Sequence, residues 1–175
     1  MSQEQQSLPP PKNIGVFSSN TETILAHYKN IAPVDVVAVA RDIGIRVYTS
    51  KLGSISGILR RDNKLGGASG FVIFVNEAHH INRQRFTVAH EIGHFMLHRD
   101  RAENGIQDDE FYRALSGPLE TGANQFAADL LMPWPLVKRL QDSGITGLES
   151  LARALAVSKQ AMAYRLGLPY DQDWE

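Results

Sequence analysis

Residues 85–98 read R-F-T-V-A-H-E-I-G-H-F-M-L-H, and this stretch decides the fold. It holds no proline, and Phe86, Val88, Ala89, Ile92, Phe95, Met96 and Leu97 cover most of a helical circumference, the pattern of a helix buried in a core. The polar residues His90, Glu91, His94 and His98 fall three, four, seven and eleven positions after Thr87, so the five form one narrow stripe. A polar stripe on a buried helix needs partners, because unpaired ionisable groups are costly in an apolar setting. A satisfied hydrogen-bond network is the plainest explanation. A metal ion explains more: His90 and His94 stack at i and i+4, where both imidazoles reach one ion. Glu91 sits beside them, placed to take a proton from water activated at the metal. Gly93 lets another backbone pack close to this helix.

Composition sets the outer limits. A chain of 175 residues suits one domain with a sizeable core and leaves room for a small appendage. The formal net charge of −1 gives no global attraction to nucleic acid or membrane. Cysteine is absent, which excludes disulfides and thiolate-bound zinc and suits a reducing, cytoplasmic setting. The amino-terminal M-S-Q-E-Q-Q-S-L-P-P-P-K lacks the order of a signal peptide, and no apolar run is long enough to span a bilayer.

Along the chain, residues 1–13 are polar and Pro-rich and are expected to be a disordered tail. A helix is expected over about 21–31, then a second opened by Pro33, with Val34, Val37, Ala38 and Ile43 as its apolar face and Gly44 as its stop. Short strands are expected at 45–49 and 55–59, and the unbroken F-V-I-F-V at 71–75 is the clearest strand. Residues 99–117 have mixed charge and poor periodicity and read as a long connection. Pro118 then opens a helix that Pro133 closes, and shorter helices are expected at 136–141, 148–155 and 158–166. The fold class is α+β: a short sheet with active-site helices over residues 14–135, and a helical, helix-turn-helix-like segment over 136–175.

A catalytic zinc takes three protein ligands, and without cysteine the third is His, Asp or Glu. The downstream candidates are His98, Glu103, Asp108, Asp109, Glu110, Glu120 and Asp129. His98 lies one turn beyond His94, and three successive turns do not converge on one ion; it reads as a helix-end cap. The loop acids read most simply as a solvated face. Glu120 falls in the first turn of an otherwise apolar helix, with Asn124 one turn on. That pair can set a ligand beside an acceptor for the outer ring N–H of His90 or His94. Glu120 is therefore the favoured third ligand.

The paired segments F-T-V-A-H-E-I-G-H-F-M-L-H and E-T-G-A-N-Q-F-A-A-D-L-L-M-P resemble the ImmA/IrrE family of zinc metallopeptidases. Likeness extends to P-V-D-V-V-A-V-A-R-D-I-G-I-R-V and L-A-V-S-K-Q-A-M-A-Y-R-L-G-L, over about residues 33–168. The resemblance implies a zincin-like domain of gluzincin type, with His90, His94 and Glu120 as Zn2+ ligands and Glu91 as general base. It implies endopeptidase activity on a protein substrate, an XRE-type helix-turn-helix repressor whose cleavage relieves repression of stress or mobile-element genes. It also suggests that the strand at 71–75 holds an extended peptide by edge pairing. The oxyanion-stabilising group is not named by the sequence; Tyr112 and His98 are the candidates.

The rival readings are a DNA-binding regulator and a toxin–antitoxin component that retains a zinc site. For the first, residues 148–166 have a helix-turn-helix outline, and Lys138, Arg139, Arg153, Lys159 and Arg165 make the region mildly basic. Five scattered cations promise little counterion release, so helices that close the core are the preferred reading. Intact Glu91 argues against an inactive zinc protein.

Overall fold

The first helix, α1 (Ser18–Tyr28), leads into α2 (Val36–Asp42). These coordinates are a computed structural model that describes residues 18–102 and 117–169. The expected tail at 1–13 lies outside them. Pro33 does not open α2. Asp35 does, because its Oδ1 accepts from the Val37 and Ala38 N–H groups at 3.1 and 3.0 Å, satisfying two donors that a helix start leaves unpaired. Of the expected apolar face, Val34, Ala38 and Ile43 are buried and Val37 is exposed, while Val36, Val39 and Ala40 also turn inward. Gly44, at φ +86°, ends the helix as expected.

Three strands follow, β1 (Arg46–Ser50), β2 (Gly57–Arg61) and β3 (Phe71–Asn76), in the order β1-β3-β2. β3 runs parallel to β1 and antiparallel to β2, with Leu59 opposite Ile73 and Gly57 opposite Val75. The central place of β3 explains its near-continuous apolar sequence, since both of its faces are covered. It also corrects an expectation: both hydrogen-bonding edges of β3 are occupied, and among the described residues the sheet's outer edges belong to β1 and β2, of which β2 lines the cleft. Buried Asn76 fixes the β1–β2 turn, its Nδ2 donating to the Gly53 and Ile55 carbonyls, each at 2.9 Å.

The long helix α3 (Ile81–Ala102) packs on the sheet through Val88, Ala89, Ile92 and Phe95, and Phe95 meets Phe71 edge-on at 5.2 Å. It continues past His98 into what reads in sequence as loop; residues 103–116 lie outside the description. Four further helices complete the chain: α4 (Pro118–Leu131), α5 (Trp134–Asp142), α6 (Leu148–Leu155) and α7 (Lys159–Leu166). Pro118 opens α4 and Pro133 follows its end, as the sequence indicates. Ser158 caps α7, its Oγ accepting from the Ala161 N–H at 3.1 Å. One buried cluster joins Leu59, Ile73, Phe95, Leu130, Val137, Leu155 and Met162, so sheet, α3, α4 and the last three helices share apolar contacts. The architecture is α+β, a three-stranded sheet with its helices.

α3 and α4 meet most closely at Gly93. A Cβ there would lie 3.1 Å from both the Cα and the carbonyl oxygen of Ala123, tighter than most real Cβ contacts, so the α4 backbone would have to give by a few tenths of an ångström. Gly122 differs, since a Cβ would meet only Leu97 Cδ1, at an ordinary 3.5 Å. Gly93→Ala is therefore expected to destabilise the protein, because overpacking of ~1–3 kcal/mol exceeds the up to ~1 kcal/mol of helix propensity regained. Gly122→Ala is expected to stabilise it by ~0.5–1 kcal/mol, since it gains propensity without a clash. Urea titrations of both variants check the opposite signs; a stabilised Gly93→Ala would refute the close-packing account.

Candidate metal centre

The stripe read from the sequence is buried where α3 faces the sheet and α4: Thr87, Glu91, His94 and His98 are each less than a tenth exposed. Gly93 admits α4 alongside, and that contact brings the first turn of α4 across from the two histidines. One ligand atom each from His90, His94 and Glu120 lies within 4.8 Å of the others. His90 Nε2 is 2.9 Å from His94 Nε2, Glu120 Oε1 is 3.1 Å from His94 Nε2, and Glu120 Oε2 is 3.3 Å from His90 Nε2. Ligands at ~2.0–2.1 Å from a tetrahedral zinc sit roughly 3.3 Å apart, so small side-chain adjustments admit the ion. Two neutral imidazoles and a carboxylate form a donor set that suits Zn2+.

Asn124 supports this set from one turn further along α4. Its Oδ1 lies 3.0 Å from His90 Nδ1. An amide oxygen can only accept, so the proton sits on Nδ1 and the Nε2 lone pair of His90 is left facing the cluster. Burial pushes His94 down to about 4, assisted by the neighbouring His90 and His98, and this keeps its ring neutral and able to ligate.

Glu91 stands apart from the ligand trio, on the adjacent side of α3. Burial, and then the charge of Glu120, pushes its carboxyl up to about 8, while a hydrogen bond from the Leu59 backbone opposes the shift. The result is a buried carboxyl of raised proton affinity, next to a metal-type cluster and against the β2 backbone. Gly57 makes this proximity possible. A Cβ on Gly57 would collide with the Thr87 methyl and come within 3.4 Å of Glu91 Oε1. A glycine inside a strand signals such close approach, and Gly57 within the expected strand 55–59 was the sequence sign of it.

His98 is not brought into the cluster of three. Its ring is 5.7 Å from that of His94, and its Nε2 has no hydrogen-bond partner among the described residues. α3 runs on to Ala102, so His98 lies inside the helix and does not cap it. Of the other ligand candidates, Asp129 pairs with Arg165 at 2.7 Å, while Glu103, Asp108, Asp109 and Glu110 lie outside the described residues, as does Tyr112.

A cleft of about 1730 Å³ opens over the cluster. One wall is the β2 edge with the turn before it, the floor is α3 and α4, and the far wall comes from α6 and α7 through residues such as Arg153, Gln160 and Tyr164. Sequence periodicity marks the buried face of these last helices but not their role as a cleft wall. The cations of α5–α7 differ in how they are held, and only Arg165 among those paired is buried. Arg165 is buried against Asp129, donates to the Met132 carbonyl at 2.9 Å and stacks over Trp134, so it is a structural clasp and not a surface charge. Arg139 holds the Asn30 carbonyl at 2.7 Å, and Lys138 and Arg153 form i,i+4 pairs with Asp142 and Glu149.

The chain is 40% identical over 99 residues to the "Radiation response metalloprotease IrrE" of Deinococcus radiodurans, covering 54% of this chain and 30% of that protein. It is 30% identical over 88 residues to "Metallopeptidase ImmA" of Bacillus subtilis, covering 50% of this chain and 48% of the relative. The chain thus spans less than half the length of each of these two curated relatives. A solved structure titled "Mycobacterium tuberculosis transcriptional regulator" shares the fold at a TM-score of 0.55 and 15% identity, over 87% of this chain and 47% of that one. The profile of the IrrE N-terminal-like domain, Peptidase M78, matches residues 40–167, and the chain belongs to that family.

Proposed function

We propose that this chain is a zinc-dependent endopeptidase. The observation that carries this reading is the convergence of His90, His94 and Glu120 within 4.8 Å, with Glu91 buried beside them and outside the ligand set. Zinc supplies a Lewis acid that polarises the scissile carbonyl and acidifies water. The protein's own residues do the rest. Glu91 accepts the proton of the attacking water and passes it to the leaving amine, so the water is divided between the new carboxylate and the new amine. Asn124 holds the His90 ring in its ligating orientation, and Gly57 keeps the β2 backbone against Glu91. The free edge of β2, which lines the cleft, offers backbone groups to an extended peptide, the role expected of the strand at 71–75.

The substrate is proposed to be an XRE-type helix-turn-helix repressor in the cytoplasm, a reading supported by the family and by the absence of cysteine. No helix among the described residues is long and apolar enough to cross a membrane. The buried Arg165 clasp and the place of α6 and α7 along the cleft support a cleft-lining role for these helices over direct DNA reading.

Glu91→Gln is expected to retain near-stoichiometric zinc while losing ~10²–10⁴-fold in turnover, the range for removal of a general base. Metal analysis and a cleavage assay on one preparation check both halves, and surviving turnover would end the assignment.

Glu120→Ala is expected to lose zinc outright, and Asn124→Ala to weaken metal affinity or activity by ~10–100-fold, the typical effect of removing a partner of a ligating histidine. Competition with a chelator ranks the three proteins. Equal zinc retention in wild type and Glu120→Ala would mean that another residue completes the site.

A further inference from the structure

Arg83 precedes His90 by seven residues on α3, so the two share a helix face, and both line the cleft. Its Nη2 donates to Ser56 Oγ at 3.0 Å. Ser56 comes immediately before the free-edge strand β2, and its carbonyl accepts from the Asn76 N–H at 2.9 Å. A guanidinium and a hydroxyl are thus held side by side at one end of the cleft, from a helix and from a tethered turn.

The other arginines in the cleft are matched with carboxylates, Arg153 with Glu149 at 3.3 Å and Arg165 with Asp129 at 2.7 Å. Arg83 meets no carboxylate among the described residues; its partner is a neutral hydroxyl, and a guanidinium has five N–H donors. Stability does not explain the placement. The first turn of α3 contains no acidic residue, and a cation at the positive end of a helix is electrostatically disfavoured. Arg85, in the same region, has a structural use: it donates to the Ala156 and Val34 carbonyls at 3.1 and 2.8 Å. Arg83 makes no such bridge to another part of the core.

We infer that Arg83, with Ser56 beside it, forms a carboxylate-recognising subsite that selects substrates carrying an acidic group near the scissile bond. The inference rests on the peptidase reading and deepens it by naming a substrate feature. Seven residues of helix rise about 10 Å. Extended chain advances ~3.3 Å per residue, so the acidic group sits about three residues from the bond cleaved. The planar fork of the guanidinium matches a carboxylate, whether an Asp or Glu side chain or the substrate's own C-terminus.

The test uses fluorescent peptide pools in which one Asp is walked through positions flanking a random centre, with Asn pools as isosteric controls. Each pool is made with a free and an amidated C-terminus. Zinc-loaded wild type is expected to cleave peptides with Asp at one position about tenfold or more faster in kcat/KM than their Asn counterparts, with the difference in KM, as fits a charge-assisted hydrogen bond. Arg83→Gln is expected to abolish that difference, and Arg83→Glu to turn it into a preference for Lys, both with wild-type zinc content and unfolding midpoint. A preference that vanishes on amidation assigns the carboxylate to the C-terminus; one that persists assigns it to a side chain. Equal cleavage of Asp and Asn pools, or a preference that survives in Arg83→Gln, overturns the subsite. If no pool is cleaved, the peptidase reading fails separately, and fluorescence anisotropy decides the subsite. Tighter binding of acidic than of neutral pools, lost in Arg83→Gln, supports it, and equal binding overturns it.

Discussion

The close approach of α3 and α4 at Gly93 and Ala123 is the constraint on which the candidate site depends. His90 and His94 are brought together by one helix alone, since i and i+4 always stack. Glu120 comes from a helix that begins sixteen residues after α3 ends. Only a backbone-to-backbone contact brings its carboxylate to 3.1 and 3.3 Å from the two imidazoles. A side chain at residue 93 would press on the Ala123 backbone at 3.1 Å, and the few tenths of an ångström that α4 would have to give matter for a donor set of this size. The same contact carries Asn124 to His90, so ligand geometry and ring orientation have one structural origin.

A second glycine does comparable work on the other side of α3. Gly57 allows β2 to lie against Thr87 and Glu91, which both buries the carboxyl and sets a free strand edge beside it. Burial, and then the charge of Glu120, raises the affinity of Glu91 for a proton, and the Leu59 backbone limits that rise. Asn76 pins the preceding turn through two carbonyls, and that turn presents Ser56 to Arg83. The proposed chemistry and the proposed recognition of substrate therefore draw on the same short strand.

The differences between sequence and structure have definite causes. Pro33 is a good first residue for a helix, yet Asp35 starts α2 because a carboxylate satisfies two backbone donors at once. The strand at 71–75 was legible because β-branched and aromatic residues run unbroken, but that same pattern marks a strand covered on both faces, and β3 is central. His98 looked like a helix end because the following residues lack apolar periodicity, while α3 continues to Ala102. Arg165 looked like surface charge and is a buried clasp to Asp129, because a lone cation in a sequence carries no sign of its partner.

What the sequence determined by itself is what short-range physics governs. The spacing of His90, Glu91 and His94, the single polar stripe, the limits Pro118 and Pro133 set on α4, and the pairing of Glu120 with Asn124 at one turn are periodicities within one element. They are legible without any knowledge of neighbours. The tertiary structure decided the rest: that β3 is central and the edge strand β2 borders the cleft, that α6 and α7 wall it, that Arg165 is spent inside the fold, and that Arg83 meets Ser56. Each of these depends on contacts between residues distant in the chain, and such contacts follow from how whole faces pack, which no local pattern encodes.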